Sequence, residues 1–260
     1  IASYPDDGKT PNQLVKNSSL AMHSVKEKTN KKIGHYSPNI EENLSEKKRL
    51  ERELSDALNQ NQFTLYYQPL ITSEDESIIG LEALIRWEHP EKGLISPGIF
   101  IPLAEETGFI RQIGNWVIKE ACRELKNIHE KYQEDIFVSV NVSPTQFMQK
   151  DFVKHVQKIL INTGLDPKYL EIEITERTAM DNIKHTMTQL KELKDFGTKI
   201  AIDDFGTGYS SLSYLNQFAL DTLKIDKSFI DQYPDDMDSH AIVDSIITIA
   251  HNLDLAVVAE

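Results

Sequence analysis

The chain has 260 residues, of which 28 are Lys or Arg and 41 are Asp or Glu, for a formal net charge of −13. A surface this acidic repels nucleic-acid polymers and anionic lipid, which excludes DNA binding as a main role but leaves room for a small anionic substrate held by local cations or metals. Cys122 is the only cysteine, so no intrachain disulfide can form, and a reducing, cytoplasmic compartment is expected.

No apolar run approaches the length of a membrane span, and no signal-peptide pattern opens the chain. Ile1 is an implausible natural start, so the chain reads as an excised piece of a longer protein, one free to carry a membrane anchor upstream. Thr10 to about Lys28 reads as a first helix. Thr10 supplies the N-cap, Pro11 the first helical position, and Gln13 is placed to close a capping box. A polar, basic stretch through Thr29 to Lys32 follows. About Glu41 to Asn59 then reads as a highly charged helix with Leu50, Leu54, Ala57 and Leu58 as its apolar stripe, of the kind that bridges domains.

The texture changes at Phe63, where short apolar strands begin to alternate with amphipathic helices. The strand-like runs are Phe63 to Ile71, Ile78 to Trp87, Ile136 to Val142, Leu170 to Thr175, Lys199 to Asp204, Thr222 to Asp226 and Leu255 to Ala259. Helical runs between them include Ile113 to Ile128, Phe152 to Leu160, Ile183 to Phe196 and Ala241 to Asn252. This alternation predicts an α/β fold with a parallel sheet covered by helices. Seven strands are counted where a barrel of the TIM type has eight, so an incomplete barrel is expected, lacking its last helix and strand.

In a parallel barrel the chemistry lies at the C-terminal ends of the strands. Oxygen ligands recur there. The second strand carries Glu82, the third Asn141, the fourth Glu173 and Glu176, the fifth Asp203 and Asp204, and the seventh ends on Glu260, while the sixth carries Lys224 and Asp226. Each residue has a plainer reading: an exposed Asp-Asp turn at Asp203-Asp204, a solvent-facing strand at Glu171 and Glu173, a turn former at Asn141, an ion pair between Lys224 and Asp226. Three features weigh against the plainer readings. The buried-looking Ile200-Ala201-Ile202 leads straight into the acidic pair, a glycine-rich loop follows it, and the pattern repeats from strand to strand. Oxygen-only ligands in this number suit hard ions such as Mg²⁺ or Mn²⁺, and two such ions are a known way to cut a phosphodiester.

The motifs from about residue 62 onward resemble the EAL family of cyclic di-GMP phosphodiesterases. They are Tyr66-Tyr67-Gln68-Pro69, Glu82-Ala83-Leu84-Ile85-Arg86-Trp87, Asn141-Val142-Ser143, Glu173-Ile174-Thr175-Glu176, Asp203-Asp204-Phe205-Gly206-Thr207-Gly208 and Leu223-Lys224-Ile225-Asp226, in family order. The resemblance implies a TIM-type barrel with an antiparallel first strand and hydrolysis of cyclic di-GMP to linear pGpG with Mg²⁺ or Mn²⁺. It implies that Glu82, Asn141, Glu173 and Asp203 hold one ion, and that Asp203, Asp204 and Glu260 hold a second or activate water. Lys224 would orient water, Arg86 would hold a phosphate, and Gln68 and Asp226 would be lesser substrate contacts. Glu176 would pin the loop after Asp204, which in this family helps form a homodimer.

The first forty or so residues resemble the end of a GGDEF diguanylate cyclase domain without its signature loop. The expected division is therefore 1–40 GGDEF-like, 41–61 linker helix and 62–260 EAL. With Glu260 on the terminus, the chain itself is expected to be inactive or nearly so. A receptor that binds cyclic di-GMP without cutting it, and an unrelated oxygen-ligand metal enzyme, are the competing readings.

Overall fold

The computed structural model describes residues 1–26, 33–207, 212–233 and 236–259. It divides into two compact units, Ile1–Gln60 and Asn61–Glu260. The first holds helices α1 (Pro11–Lys26) and α2 (Asn39–Ala57). Thr10 Oγ1 accepts from the Gln13 amide at 3.3 Å, as the sequence predicts. Gln13 Oε1 reaches back one residue further than a capping box requires, to the Lys9 amide at 2.9 Å. Lys16 pairs with Glu41 at 2.7 Å, tying α1 to the start of α2. Along α2 the stripe of Leu50, Leu54 and Ala57 is buried.

The second unit is one curled sheet clothed by helices. Its strands are β1 (Phe63–Ile71), β2 (Ile78–His89), β3 (Gly93–Ile95), β4 (Phe137–Asn141), β5 (Leu170–Thr175), β6 (Lys199–Phe205), β7 (Thr222–Ile225) and β8 (Ala256–Ala259). Sheet order is β1-β2-β4-β5-β6-β7-β8, with the short β3 forming a hairpin on β2. β1 pairs antiparallel to β2, whereas every pairing from β2–β4 to β7–β8 is parallel. The antiparallel first strand is thus as expected, and all seven predicted strands form. The hairpin strand β3 is an addition, because three residues are too few to show an alternation.

The intervening helices are α3 (Pro97–Thr107), α4 (Ile110–Tyr132), α5 (Pro144–Phe147), α6 (Phe152–Thr163), α7 (Glu176–Asp181), α8 (Ile183–Phe196), α9 (Leu212–Leu215), α10 (Lys227–Gln232) and α11 (Met237–Asn252). Where the sequence suggests Ile113 to Ile128, α4 extends several residues at both ends; its buried face includes Ile113, Val117, Ala121, Cys122 and Leu125.

Strand residues alternate between two faces, and here both faces are buried. The outward face is apolar and packs on helices: Val138 and Val140, Leu170, Ile172 and Ile174, Ile200 and Ile202, Leu223 and Ile225. The inward face carries the polar set Ser139, Glu171, Glu173, Asp203, Thr222 and Lys224, all buried. Phe63, Trp87, Phe100 and Trp116 form an aromatic cluster that fixes the β1–β2 edge against α3 and α4, with ring centroids 5.6 to 6.0 Å apart.

Candidate active site

The inward face converges on the Lys224 ammonium. Its Nζ lies 3.0 Å from Glu82 Oε2 on β2, 3.0 Å from Glu173 Oε2 on β5 and 3.8 Å from Asp203 Oδ1 on β6. Asn141, at the end of β4, donates from Nδ2 to Glu82 Oε1 at 2.8 Å. Five residues from five strands therefore meet in one cluster, although nothing local in the sequence links them. Lys224 is 1% exposed and Glu173 1%. Charges so deep are costly unless paired, and the pairing here is mutual.

Glu173 remains short of partners. Its Oε1 is fully buried and accepts no hydrogen bond. Burial pushes its carboxyl up to about 8; the Lys224 ammonium pulls it down, and the Glu82 and Asp203 carboxylates push it up again.

The register of β6 against β7 shifts between Ile202 and Phe205, and Asp204 takes a left-handed conformation with φ 54°. A bulge of this kind re-aims a side chain at a strand end. It resolves the difficulty that neighbouring strand residues face opposite ways: Asp203 points into the barrel, and Asp204 turns toward Asp226. Hydrogen bonds from Ser228 hold the Asp226 carboxyl below its usual range despite partial burial, and Asp204 adds to that effect. Asp226 also caps α10 by accepting from the Ser228 amide at 2.9 Å. In the loop beyond, the Gly206 amide donates to the buried Glu176 Oε2 at 3.0 Å. Gly206 has φ 100°, a conformation that disfavours any side chain, and an added Cβ would stand 3.0 Å from the Phe229 ring.

Of the remaining predicted residues, Gln68 adjoins this cluster and Arg86 lines a different cleft. Gln68 is paired in register with Glu82 and, with it, lines a groove of about 1080 Å³ between β1–β2 and β7–β8. Arg86 lines a separate cleft of about 480 Å³ with Leu94, Ser96, Pro97 and Gly98, its guanidinium 5.3 Å from the centroid of the Tyr66 ring. Glu260 and the loop residues Gly208 to Ser211 lie outside the described residues.

The EAL domain family model matches residues 51–260. The chain belongs to the EAL domain family. Over all 260 residues it is 41% identical to MucR of Pseudomonas aeruginosa, a bifunctional diguanylate cyclase/cyclic di-GMP phosphodiesterase, and 39% identical to the cyclic di-GMP phosphodiesterase NbdA of the same species. It spans 38% and 33% of the lengths of these two relatives. The structure of the PaMucR phosphodiesterase in complex with c-di-GMP superposes with a TM-score of 0.79 at 44% identity, over 81% of this chain and 85% of that one.

As an EAL domain the chain would be expected to use a metal. Among the described residues no three acidic, imidazole or thiol groups are drawn around a common ion position, since Lys224 occupies the middle of the set. The donor chemistry nevertheless fits a hard cation. It is all oxygen, and the Glu173 Oε1 atom is a buried acceptor with no donor. Sequence reasoning named every member of the Lys224 cluster. It missed the hydroxyls beneath it, Ser139 and Thr222, although each stands two residues before a named residue on the same strand.

Proposed function

We propose that this EAL domain hydrolyses cyclic di-GMP to linear pGpG in a Mg²⁺- or Mn²⁺-dependent reaction. The observation that carries the reading is the buried cluster of Glu82, Asn141, Glu173, Asp203 and Lys224, with one Glu173 oxygen left unpaired. The names and the ligand complex of the relatives support the choice of substrate.

In this reading Glu82, Asn141, Glu173 and Asp203 hold one ion, and Asp203, Asp204 and Glu260 a second. Bound ions of this kind lower the pKa of water and neutralise charge on the attacking and leaving oxygens. Lys224, locked between two carboxylates, would orient the water and balance negative charge as the water oxygen bonds to phosphorus, one P–O ester bond breaks, and the departing alkoxide oxygen takes up the proton that the water gives up. Arg86 donates from Nη1 to the Ile85 carbonyl at 2.9 Å and has further donors on its planar fork to grip a phosphate, and the Tyr66 ring beneath steadies it. Gln68 and Asp226 are lesser substrate contacts. Glu176 pins the loop after Asp204 through Gly206, and that loop is the proposed contact of a homodimer. Residues 1–40 are read as the end of a GGDEF-like domain, 41–61 as a linker helix and 62–260 as the EAL domain. The match to MucR over the whole chain, and the cyclase in its name, support this division.

The test is turnover of cyclic di-GMP by the purified domain in a form extended past residue 260, with product separated by chromatography, in Mg²⁺ or Mn²⁺ and in chelator. Metal-dependent formation of pGpG is expected, and Asp203→Asn should lower it by more than the roughly 10²- to 10⁴-fold typical of losing a general acid–base residue, because both ions would lose a ligand. Binding of cyclic di-GMP without turnover would replace this reading with that of a receptor.

A further inference from the structure

Beneath the Lys224 cluster lies a second buried polar layer. Glu171 is 2% exposed and uses both carboxylate oxygens. Ser139 Oγ donates to its Oε1 at 2.6 Å, and Thr222 Oγ1 donates to its Oε2 at 2.8 Å. Each of the three stands two positions before a site residue on its own strand: Ser139 before Asn141 on β4, Glu171 before Glu173 on β5, Thr222 before Lys224 on β7. Residues two apart share a strand face. One carboxylate therefore ties together three of the strands that build the site, one step below the site itself.

The tie from β5 to β7 must cross β6, which lies between them in the sheet. At that level β6 presents Ala201, which is in register with both Glu173 and Thr222 and is fully buried. A methyl group leaves room for the Glu171 side chain to span the gap; a longer residue would fill it. Apolar residues of similar volume could occupy this layer at no loss of stability, since a buried carboxylate is costly even when hydrogen-bonded. What an apolar layer could not supply is directional contacts that fix strand spacing.

We propose that Glu171 is a positioning residue of the hydrolytic centre. Through Ser139 and Thr222 it sets the mutual spacing of β4, β5 and β7, and so the placement of Asn141, Glu173 and Lys224. The proposal rests on the hydrolase reading given above.

The test compares Glu171→Ala, Glu171→Gln and the pair Ser139→Ala with Thr222→Val, by steady-state kinetics and by crystal structures of the variants. Glutamine keeps the length of the bridge, because each hydroxyl can turn to donate or accept. Glu171→Ala and the paired variant should lower kcat by about 10- to 100-fold, the loss typical of an outer-shell partner, with KM little changed. Glu171→Gln should recover most of kcat. An alanine variant with wild-type kcat, or a glutamine variant as impaired as the alanine one, overturns the proposal. If Glu171→Ala does not fold, the paired variant carries the same comparison. If the unaltered protein does not turn over cyclic di-GMP, the hydrolase reading falls separately and the structures alone decide. Displaced Lys224–Glu173 and Asn141–Glu82 contacts then support positioning, and unchanged ones overturn it.

Discussion

Glu173 carries an electrostatic tension that can be tested directly. Its carboxyl is pushed from an ordinary 4.5 up to about 8, chiefly by burial. A carboxyl whose value rises on folding favours the neutral form in the native state. Its contribution to stability is therefore complete below about pH 4.5 and is lost as the pH climbs through about 8. Glu173→Gln fixes the neutral form. In chelator, the variant's midpoint of thermal unfolding should gain on that of the unaltered protein between about pH 5 and about pH 8 and level off above that. A difference that does not change with pH would mean that Lys224 already holds Glu173 ionised throughout. A divalent cation bound here would favour the charged form that burial opposes.

At the scale of elements, α4 and α5 meet through a contact that only glycine permits. A Cβ built on Gly114 would stand 2.0 Å from Gln146 Oε1, and Gln146 is itself 2% exposed. Gly114→Ala should destabilise the protein by about 1–3 kcal/mol in urea unfolding, the usual cost of overpacking. Shortening the partner with Gln146→Ala should recover most of that loss in the double variant. Two independent, additive losses would show that α5 had moved aside instead. α5 directly follows β4, so this contact also holds the end of the strand that bears Asn141. The strands and long helices were legible because their apolar residues repeat with a clear period, as in Ile200 and Ile202 or along α4. The one-turn helices α5, α7, α9 and α10 were not, because four to six residues hold no period. α3 was hidden by its almost uniformly apolar sequence and by Pro102 inside it. The site residues could be named from motifs, but their partners could not. Lys224, offered by the sequence as an ion pair with Asp226, reaches across the barrel to Glu82 and Glu173, which lie 142 and 51 residues away.

The whole molecule bears a net charge of −13, and its proposed substrate is an anion. Long-range repulsion should slow their encounter until salt screens it. Raising ionic strength from about 10 mM to about 150 mM shortens the screening length from about 30 Å to about 8 Å. The value of kcat/KM should rise by about two- to tenfold over that range. A fall would mean that the approach to the site is locally positive despite the total. The antiparallel first strand has a mechanical consequence at this scale. Every other long strand ends at the rim where the acidic cluster opens, but β1 begins there. Gln62 is fastened at that rim, its carbonyl accepting from the Glu88 amide at 2.7 Å and its Oε1 from the Trp87 indole at 2.9 Å. The polypeptide thus enters the barrel at the working end and not at the far one. A tug or twist arriving along the backbone at Asn61 acts first on the strand bearing Gln68, with only a few residues of lever arm between the hand and the tool.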